Sequence, residues 1–278
     1  MASLSIEAVQ QYYDSKTESI LRRYGPGPRV HYHNGIMDSP PPATATCAER
    51  QRTLIRSQEC LLEFAAEFWD ANVNFRGTLL DVGCGLGGGA IYWAEHFGAA
   101  VTAVTNVQRH ATLIAGFAKQ AGVSERVTPL VCDATQIPGN ELYDAAVALD
   151  SMCHMPRALV FDRLHRVMKA GATLGISDFF FEEPVFGAGF DAHWAAQAGT
   201  ITEHLDLAKR HGFDHLGTED LTSRAGHFWT TTLALMATDT TDSADAATQR
   251  SRQAHELVRE GYRVGGLRYG LLRFRKRI

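Results

Sequence analysis

Residues 79–90 read LLDVGCGLGGGA. Two leucines, an aspartate and a valine make a short apolar strand that ends in glycines at 83, 85 and 87. Glycine lacks a Cβ, so a ligand can approach the backbone there and the next helix can sit close. A GxG step alone is shared by many nucleotide-binding enzymes. The discriminating residue is Asp81, two positions before Gly83, at the carboxyl end of the strand. A dinucleotide loop would read GxGxxG, with an acid about twenty residues later for a ribose. Here the second strand ends in Thr105 and Asn106, which suits NAD poorly.

Outward from this run, strand and helix patterns alternate. GGGAIYWAEHFG (87–98) reads as a helix stopped by Gly98, and AAVTAVT (99–105) as a second strand. A helix over 107–122 again halts at glycine, and RVTPLVCDA (126–134) gives a third strand. YDAAVALDS (143–151) is a fourth, PRALVFDRLHRVMKAG (156–171) a helix, and ATLGISDFF (172–180) a fifth strand. This order predicts an α/β fold with a doubly wound, mostly parallel sheet. HFWTTTLALMAT (227–238) reads as a sixth strand and the run 262–277 as a seventh, with a polar helix near 242–260 between them. The two would close the sheet as an antiparallel hairpin. Upstream, 49–70 carries apolar residues at helical spacing.

Residues 77–182 resemble the class I S-adenosylmethionine-dependent methyltransferases that act on small molecules. The matching runs are LLDVGCGLGG, VTAVTNVQ, VCDA, DAAVALDSMCHM and LHRVMKAGATLGISD. Several such enzymes lack the ribose-binding acid and carry a VT…Q run instead, which VTAVTNVQ, with Thr105, Asn106 and Gln108, resembles. The resemblance implies S-adenosylmethionine as cofactor, with Asp81, Gly83 and Gly85 near its methionine portion. It implies Gln108 near the ribose, and Asp133 with Ala134 near the adenine. It also implies domain limits: an N-terminal lid arm over 1–48 and the cofactor-binding domain over 49–278, with a helical acceptor cover near 185–212.

Acceptor sites in this fold lie over the carboxyl ends of the fourth and fifth strands. Those ends supply Asp150, Ser151, His154, Asp178 and three phenylalanines, 179–181. Asp150 is either a general base or the cap of the turn that follows it. His154 either orients an acceptor and takes a proton or lies beside the cofactor.

The arm sets RRYGPGPRVHYHNGI (22–36) ahead of the first strand. The preceding VQQYYDSKTESIL resembles the lid helix of small-molecule methyltransferases, with Tyr12 and Tyr13 over the ligand. VHYHNGIMD resembles the HHxGI arm of geranyl diphosphate C-methyltransferases, with His33, Gly35 and Ile36 matching. Arg22, Arg23 and Arg29 offer guanidinium forks suited to phosphate oxygens. In an extended segment His31 and His33 share a face. Tyr12, Tyr13, Tyr24, Phe117, Trp194 and Trp229 could wall an isoprenoid chain, and aromatic faces stabilise the cation that alkene methylation creates. In the geranyl diphosphate family a glutamate just after the fourth strand removes the proton. The matching place here holds Asp150, one methylene shorter. The alternatives are an arm that only closes the cofactor site, with its arginines in solvent, and an N- or O-methyltransferase of an amino sugar, phenol or indole.

Composition excludes other classes. The chain has 278 residues and a formal net charge of −4, without the basic bias of a nucleic-acid binder. Its start is too polar for a signal peptide, and no run reaches the eighteen or so apolar residues of a membrane span. Five scattered cysteines without CxxC spacing suggest free thiols in a cytoplasmic protein. No His/Cys cluster has zinc spacing, whereas a diphosphate acceptor would bring Mg²⁺. The arm and apolar helices would suit a homo-oligomer.

Overall fold

A computed structural model describes residues 6–238 and 246–278. Helix α1 (Ile6–Tyr24) buries Val9, Thr17, Ile20 and Tyr24 along one stripe and ends on Arg22 and Arg23, which complement its dipole. An extended arm leads to α2 (Cys47–Phe68). A capping box starts α2: Thr46 Oγ1 accepts from the Glu49 amide, and the Glu49 carboxylate accepts from the Thr46 amide. The short α3 (Ala71–Asn74) turns the chain into β1 (Thr78–Val82).

Helix α4 (Gly88–Phe97) follows the glycine loop, then come β2 (Ala100–Thr105), α5 (Gln108–Gln120) and β3 (Val127–Val131). The chain continues through β4 (Tyr143–Leu149), α6 (Arg157–Val167) and β5 (Met168–Phe181) to α7 (Pro184–Trp194) and α8 (Ile201–Arg210). β6 (Phe213–Asp220), α9 (Thr222–Thr238), α10 (Ala246–Val264) and β7 (Leu267–Lys276) complete it. The start of the expected polar helix, 242–245, lies outside the described residues.

The seven strands form one sheet in the order β3-β2-β1-β4-β5-β7-β6. β1 pairs in parallel with both β2 and β4, so the strand order reverses between them. The crevice above that reversal is where such sheets take ligands. One apolar cluster sits between the sheet and α2, α4, α5, α9 and α10, with Trp69, Phe75 and Trp93 fully buried. The other lies under α6 and α8, around Phe161, Phe213 and Phe274.

Three expectations are corrected. Residues 227–238 are helical, not a strand: they belong to α9. Aromatic and β-branched residues favour strands, but Phe228, Trp229, Thr232, Leu235 and Met236 share one helical face that faces α2 and α10. Thr230, Thr231 and Thr232 satisfy their hydroxyls on the carbonyls four residues back, at 3.0, 2.9 and 2.9 Å. The sixth strand is FDHLGTED, 213–220, a mostly exposed edge too polar to read as a strand. β6 and β7 are antiparallel neighbours, yet α9 and α10 separate them in the chain, so they form no hairpin. Finally, the segment 185–212 divides. α7 flanks the crevice, whereas α8 lies against α6 and β6.

Candidate active site

Two cavities meet above the carboxyl ends of β1, β4 and β5. The first, about 230 Å³, is lined by Asp81, Gly83 and Gly85, by Thr105 and Asn106, and by Asp133 and Ala134. Ile6, Val9 and Tyr13 of α1 line it too, so the arm closes it. Gly83 has φ +73°, and a Cβ there would sit 2.6 Å from the Ser151 Cβ, so only glycine suits this turn. Asp81 is 1% exposed, and neither carboxylate oxygen has a partner among the described residues. Burial pushes its carboxyl up to about 7. A buried carboxylate left this way wants a cationic or donor group brought by a ligand. The ammonium of S-adenosylmethionine meets that demand, and the glycine loop leaves room beside it. Asp133 has one oxygen engaged by the Thr135 amide at 2.8 Å and stands on the cavity wall.

Gln108 is a correction. It is the first residue of α5, exposed, and absent from the lining, where Val107 and His110 stand on either side of it.

The second cavity, about 240 Å³, runs beside α1, α7, α9 and α10. Phe179, Phe190, Trp194 and Trp229 form a continuous aromatic wall, with neighbouring ring centres 4.4, 4.9 and 5.5 Å apart. Tyr12 and Tyr24 line it as well. Lys16, Arg22 and Arg23 of α1 line the same space. Burial pushes His255 down to about 3, and Arg23, His193 and Lys16 act in the same direction. Phe117 is elsewhere, in the core, where a Cβ on Gly27 would meet its ring.

Arg29 is a further correction. Its guanidinium lies 3.0 Å from Glu59 and 2.8 Å from Glu95, over the Tyr92 ring, outside both cavities. Two carboxylates already hold it, so it offers no fork to a ligand.

Tyr13, Tyr32, His33, Asp150 and His154 line both cavities and form their junction. Asp150 has φ +49°, a left-handed backbone that costs a non-glycine residue of order 1 kcal/mol. Its carboxylate is held from three sides: by the Asn34 amide at 2.7 Å, the Tyr269 hydroxyl at 2.7 Å and the Ser177 hydroxyl at 3.0 Å. Burial raises its carboxyl to about 6, against the pull of these donors. It therefore ionises near neutrality and can accept a proton at the junction. Asp150 does not cap the turn after it; Asp178 does, accepting from the Cys153 amide at 2.9 Å.

His154 is engaged at both nitrogens. Its Nδ1–H donates to the Ala195 carbonyl at 3.0 Å, and its Nε2 accepts from the Tyr13 hydroxyl at 2.6 Å. Burial pushes it down to about 4, so it is neutral. That gives it a holding part rather than the proton-accepting part the sequence suggested. His31 and His33 are buried beside the junction and hydrogen-bonded to protein groups. Sequence reasoning missed Asn34, Tyr32, Lys16 and His110; the arm's placement brings the first three to the crevice, and the first turn of α5 brings His110.

This order of strands, with a ligand crevice at the β1/β4 reversal and an acid-led glycine loop, defines the class I S-adenosylmethionine-dependent methyltransferase fold. Residues 79–171 match the methyltransferase domain family. A probable chloroplastic tocopherol O-methyltransferase of Oryza sativa subsp. japonica is 26% identical over 265 residues, 88% of this chain and 72% of that one. A geranyl diphosphate methyltransferase structure with its acceptor and sinefungin superposes with a TM-score of 0.84, at 22% identity, over 97% of this chain and 98% of that one. A Streptomyces coelicolor A3(2) geranyl diphosphate C-methyltransferase, complexed with Mg²⁺, an acceptor thiolo-analogue and S-adenosylhomocysteine, gives 0.83 at 20% identity, over 97% of each. Residues 79–171 thus carry a methyltransferase domain, and the chain shares its fold with small-molecule methyltransferases.

Proposed function

We propose that this enzyme methylates a carbon of an isoprenoid diphosphate, with Asp150 as the base. The observation that carries the reading is one cavity that joins an aromatic wall to Lys16, Arg22 and Arg23 and meets the cofactor cavity at Asp150. An amphiphilic anion fits such a space: hydrocarbon against the rings, phosphate oxygens against the cations.

Bound S-adenosylmethionine supplies an electrophilic methyl whose leaving group is a neutral thioether. An acceptor alkene forms the new C–C bond as the methyl–sulfur bond breaks, which leaves a cation on the neighbouring carbon. Phe179 and Trp229 present ring faces that stabilise such a charge. Asp150 then takes a proton from the adjacent carbon, and a double bond forms again. Tyr13 and the arm exclude water, which would otherwise capture the cation. A magnesium ion would be held mainly by phosphate oxygens, because among the described residues no group of three His, Cys, Asp or Glu gathers.

A second reading has one observation in its favour. Asn34 and Trp229, whose polar side-chain groups gather at the Tyr262 hydroxyl, line the acceptor cavity, which would suit a hydroxyl-bearing acceptor and O-methylation. Mass spectrometry with methyl-labelled cofactor over geranyl and isopentenyl diphosphates, a phenol and an amino sugar separates the two. A carbon-methylated diphosphate supports the first reading; label on the phenol alone removes it.

A further inference from the structure

Two buried polar groups face one gap beside the cofactor cavity. Among the described residues, neither carboxylate oxygen of Asp81, on β1, has a hydrogen-bond partner, and neither has the indole N–H of Trp93, on α4. Asp81 is 1% exposed and Trp93 is fully buried. Buried donors and acceptors are nearly always paired, so two left open on the same gap call for a bridging group. The gap lies at Gly89. A Cβ built there would sit 3.5 Å from Asp81 Oδ2 and 3.6 Å from Trp93 Nε1. It would also come within 2.8 Å of Leu149 Cδ1, so a side chain would displace Leu149 and fill the gap. Helical side chains lean back over the turn before them. Trp93 follows Gly89 by four residues, so its N–H edge reaches over the missing side chain towards Asp81.

Packing fixes the donor. Trp69, Phe75 and Phe97 hold the Trp93 ring, with centres 6.3, 5.3 and 6.0 Å away. No direct bond joins Nε1 to the carboxylate, and Gly89 opens on the cofactor cavity. A gap with a donor on one side and an acceptor on the other suits a single bridging water. The demand is greatest once Asp81 is ionised, because a carboxylate has about four acceptor sites and an ammonium does not fill them all. The other titratable groups around the gap are Cys84 of the glycine loop, His31 of the arm, which comes against Gly88, and His110 of α5. Burial alone raises Asp81, so none of these sets its ionisation.

We propose that Trp93 is a positioning residue for the cofactor: its indole N–H, through one water at Gly89, supports the Asp81 carboxylate that receives the ammonium of S-adenosylmethionine. The inference concerns the cofactor end of the site and does not depend on the acceptor. Trp93 lines neither cavity, so it acts only through Asp81. The donor serves the ionised carboxylate in the free and the bound protein alike. Removing it therefore weakens binding only at a pH where Asp81 must first lose a proton. In Trp93→Phe the carboxyl rises from about 7, and more of it is protonated at neutral pH. Loosened packing, by contrast, would weaken binding at every pH.

The test is calorimetry of the full chain with S-adenosylhomocysteine, which carries the same ammonium. A rise of about one pKa unit in Trp93→Phe should weaken binding about fivefold at pH 7 and by under about twofold at pH 8.5, relative to wild type. The proton released on binding at pH 7 should grow from roughly half to nearly one. Trp69→Phe is the control. Its N–H already donates to the Leu272 carbonyl at 3.2 Å, so the change loosens the same aromatic core but should leave the pH ratio and the proton count as in wild type. A second readout needs no Trp93 variant. In ¹⁵N-tryptophan protein without ligand, the Trp93 indole proton is assigned by elimination with Trp69→Phe, Trp194→Phe and Trp229→Phe. It should move downfield as pH rises through about 7, and stay in place in Asp81→Asn. An affinity loss equal at both pH values with an unchanged proton count, no loss at all, or an indole proton that ignores the carboxyl overturns the proposal. A wild type that binds no S-adenosylhomocysteine would sink the cofactor assignment and the proposal with it.

Discussion

The Tyr13 hydroxyl lies 2.6 Å from Nε2 of His154, although 141 residues separate them in the chain. One residue is on the arm helix and the other follows β4, so the bond fastens the lid to the sheet. Thr17, one turn further along α1, is hydrogen-bonded to the buried His110 of α5 at 2.9 Å and donates to the Tyr13 carbonyl at 3.0 Å. The lid thus rests on two neutral histidines, one on each side of the cofactor cavity.

Tyr13→Phe should loosen that lid without unfolding the protein. It leaves His154 Nε2 buried without a donor, which costs about 1–3 kcal/mol in the closed state only. Cofactor dissociation should quicken at least fivefold in stopped-flow measurements, and KM for cofactor should rise in step, with the thermal midpoint within a few degrees of wild type. An unchanged dissociation rate would show that the bond does not hold the lid.

Asp150→Asn should abolish turnover by three orders of magnitude or more while calorimetry still detects cofactor binding. Asparagine keeps the contacts to Ser177 and the arm but cannot take a proton. In the wild type, kcat should fall below about pH 6, where Asp150 becomes protonated. A mild effect of the substitution would move the enzyme towards amine or hydroxyl acceptors, which need little base.

Asp81 should release a proton when the cofactor binds. Its carboxyl titrates at about 7 without a ligand, and a cation beside it would lower that value. Calorimetry at pH 7 in buffers of different ionisation enthalpy should find roughly half a proton leaving per site, and none in Asp81→Asn. The same raised values at Asp81, Asp150 and Asp178, about 7, 6 and 7, make these three carboxyls stabilise the fold less as pH rises towards 7. Burial holds His33, His110, His154, His204 and His255 down at about 3, 4, 4, 4 and 3, so these rings take protons in the unfolded chain first and act in the opposite sense. The five histidines outnumber the three carboxyls, so the thermal midpoint without ligand should rise as pH rises from about 4 to about 6.

Much of this was legible in the residues. The LLDVGCG run, the glycine stops and the alternation over 77–182 correspond to five parallel strands with their helices, because local pattern and burial agree there. What failed depended on tertiary surroundings. Residues 227–238 have strand-forming side chains but fold as α9, since α2 and α10 cover one helical face. β6 was missed because an exposed edge strand needs no apolar alternation. Asp150 was placed at the right strand end, but its three donors come from the arm, β5 and β7, and no spacing in the sequence announces them. Arg29 and Arg22 looked alike as arm arginines; only the fold brings Glu59 and Glu95 to one and a cavity to the other.

That contrast between the arginines makes the acceptor's charge testable. Lys16→Ala with Arg22→Ala should raise KM for an anionic acceptor at least tenfold and leave KM for the cofactor nearly unchanged, because both side chains line only the second cavity. The effect should shrink as ionic strength rises and screens the wild-type attraction. Arg29→Ala should behave differently: it breaks the Glu59 and Glu95 pairs away from the cavity, so its first consequence is a lower thermal midpoint rather than a selective loss of acceptor affinity. If the Lys16/Arg22 double variant binds a diphosphate as the wild type does, at low and high salt alike, the acceptor's negative charge is not read at this wall, and a neutral hydroxyl-bearing acceptor becomes the better account of the cavity.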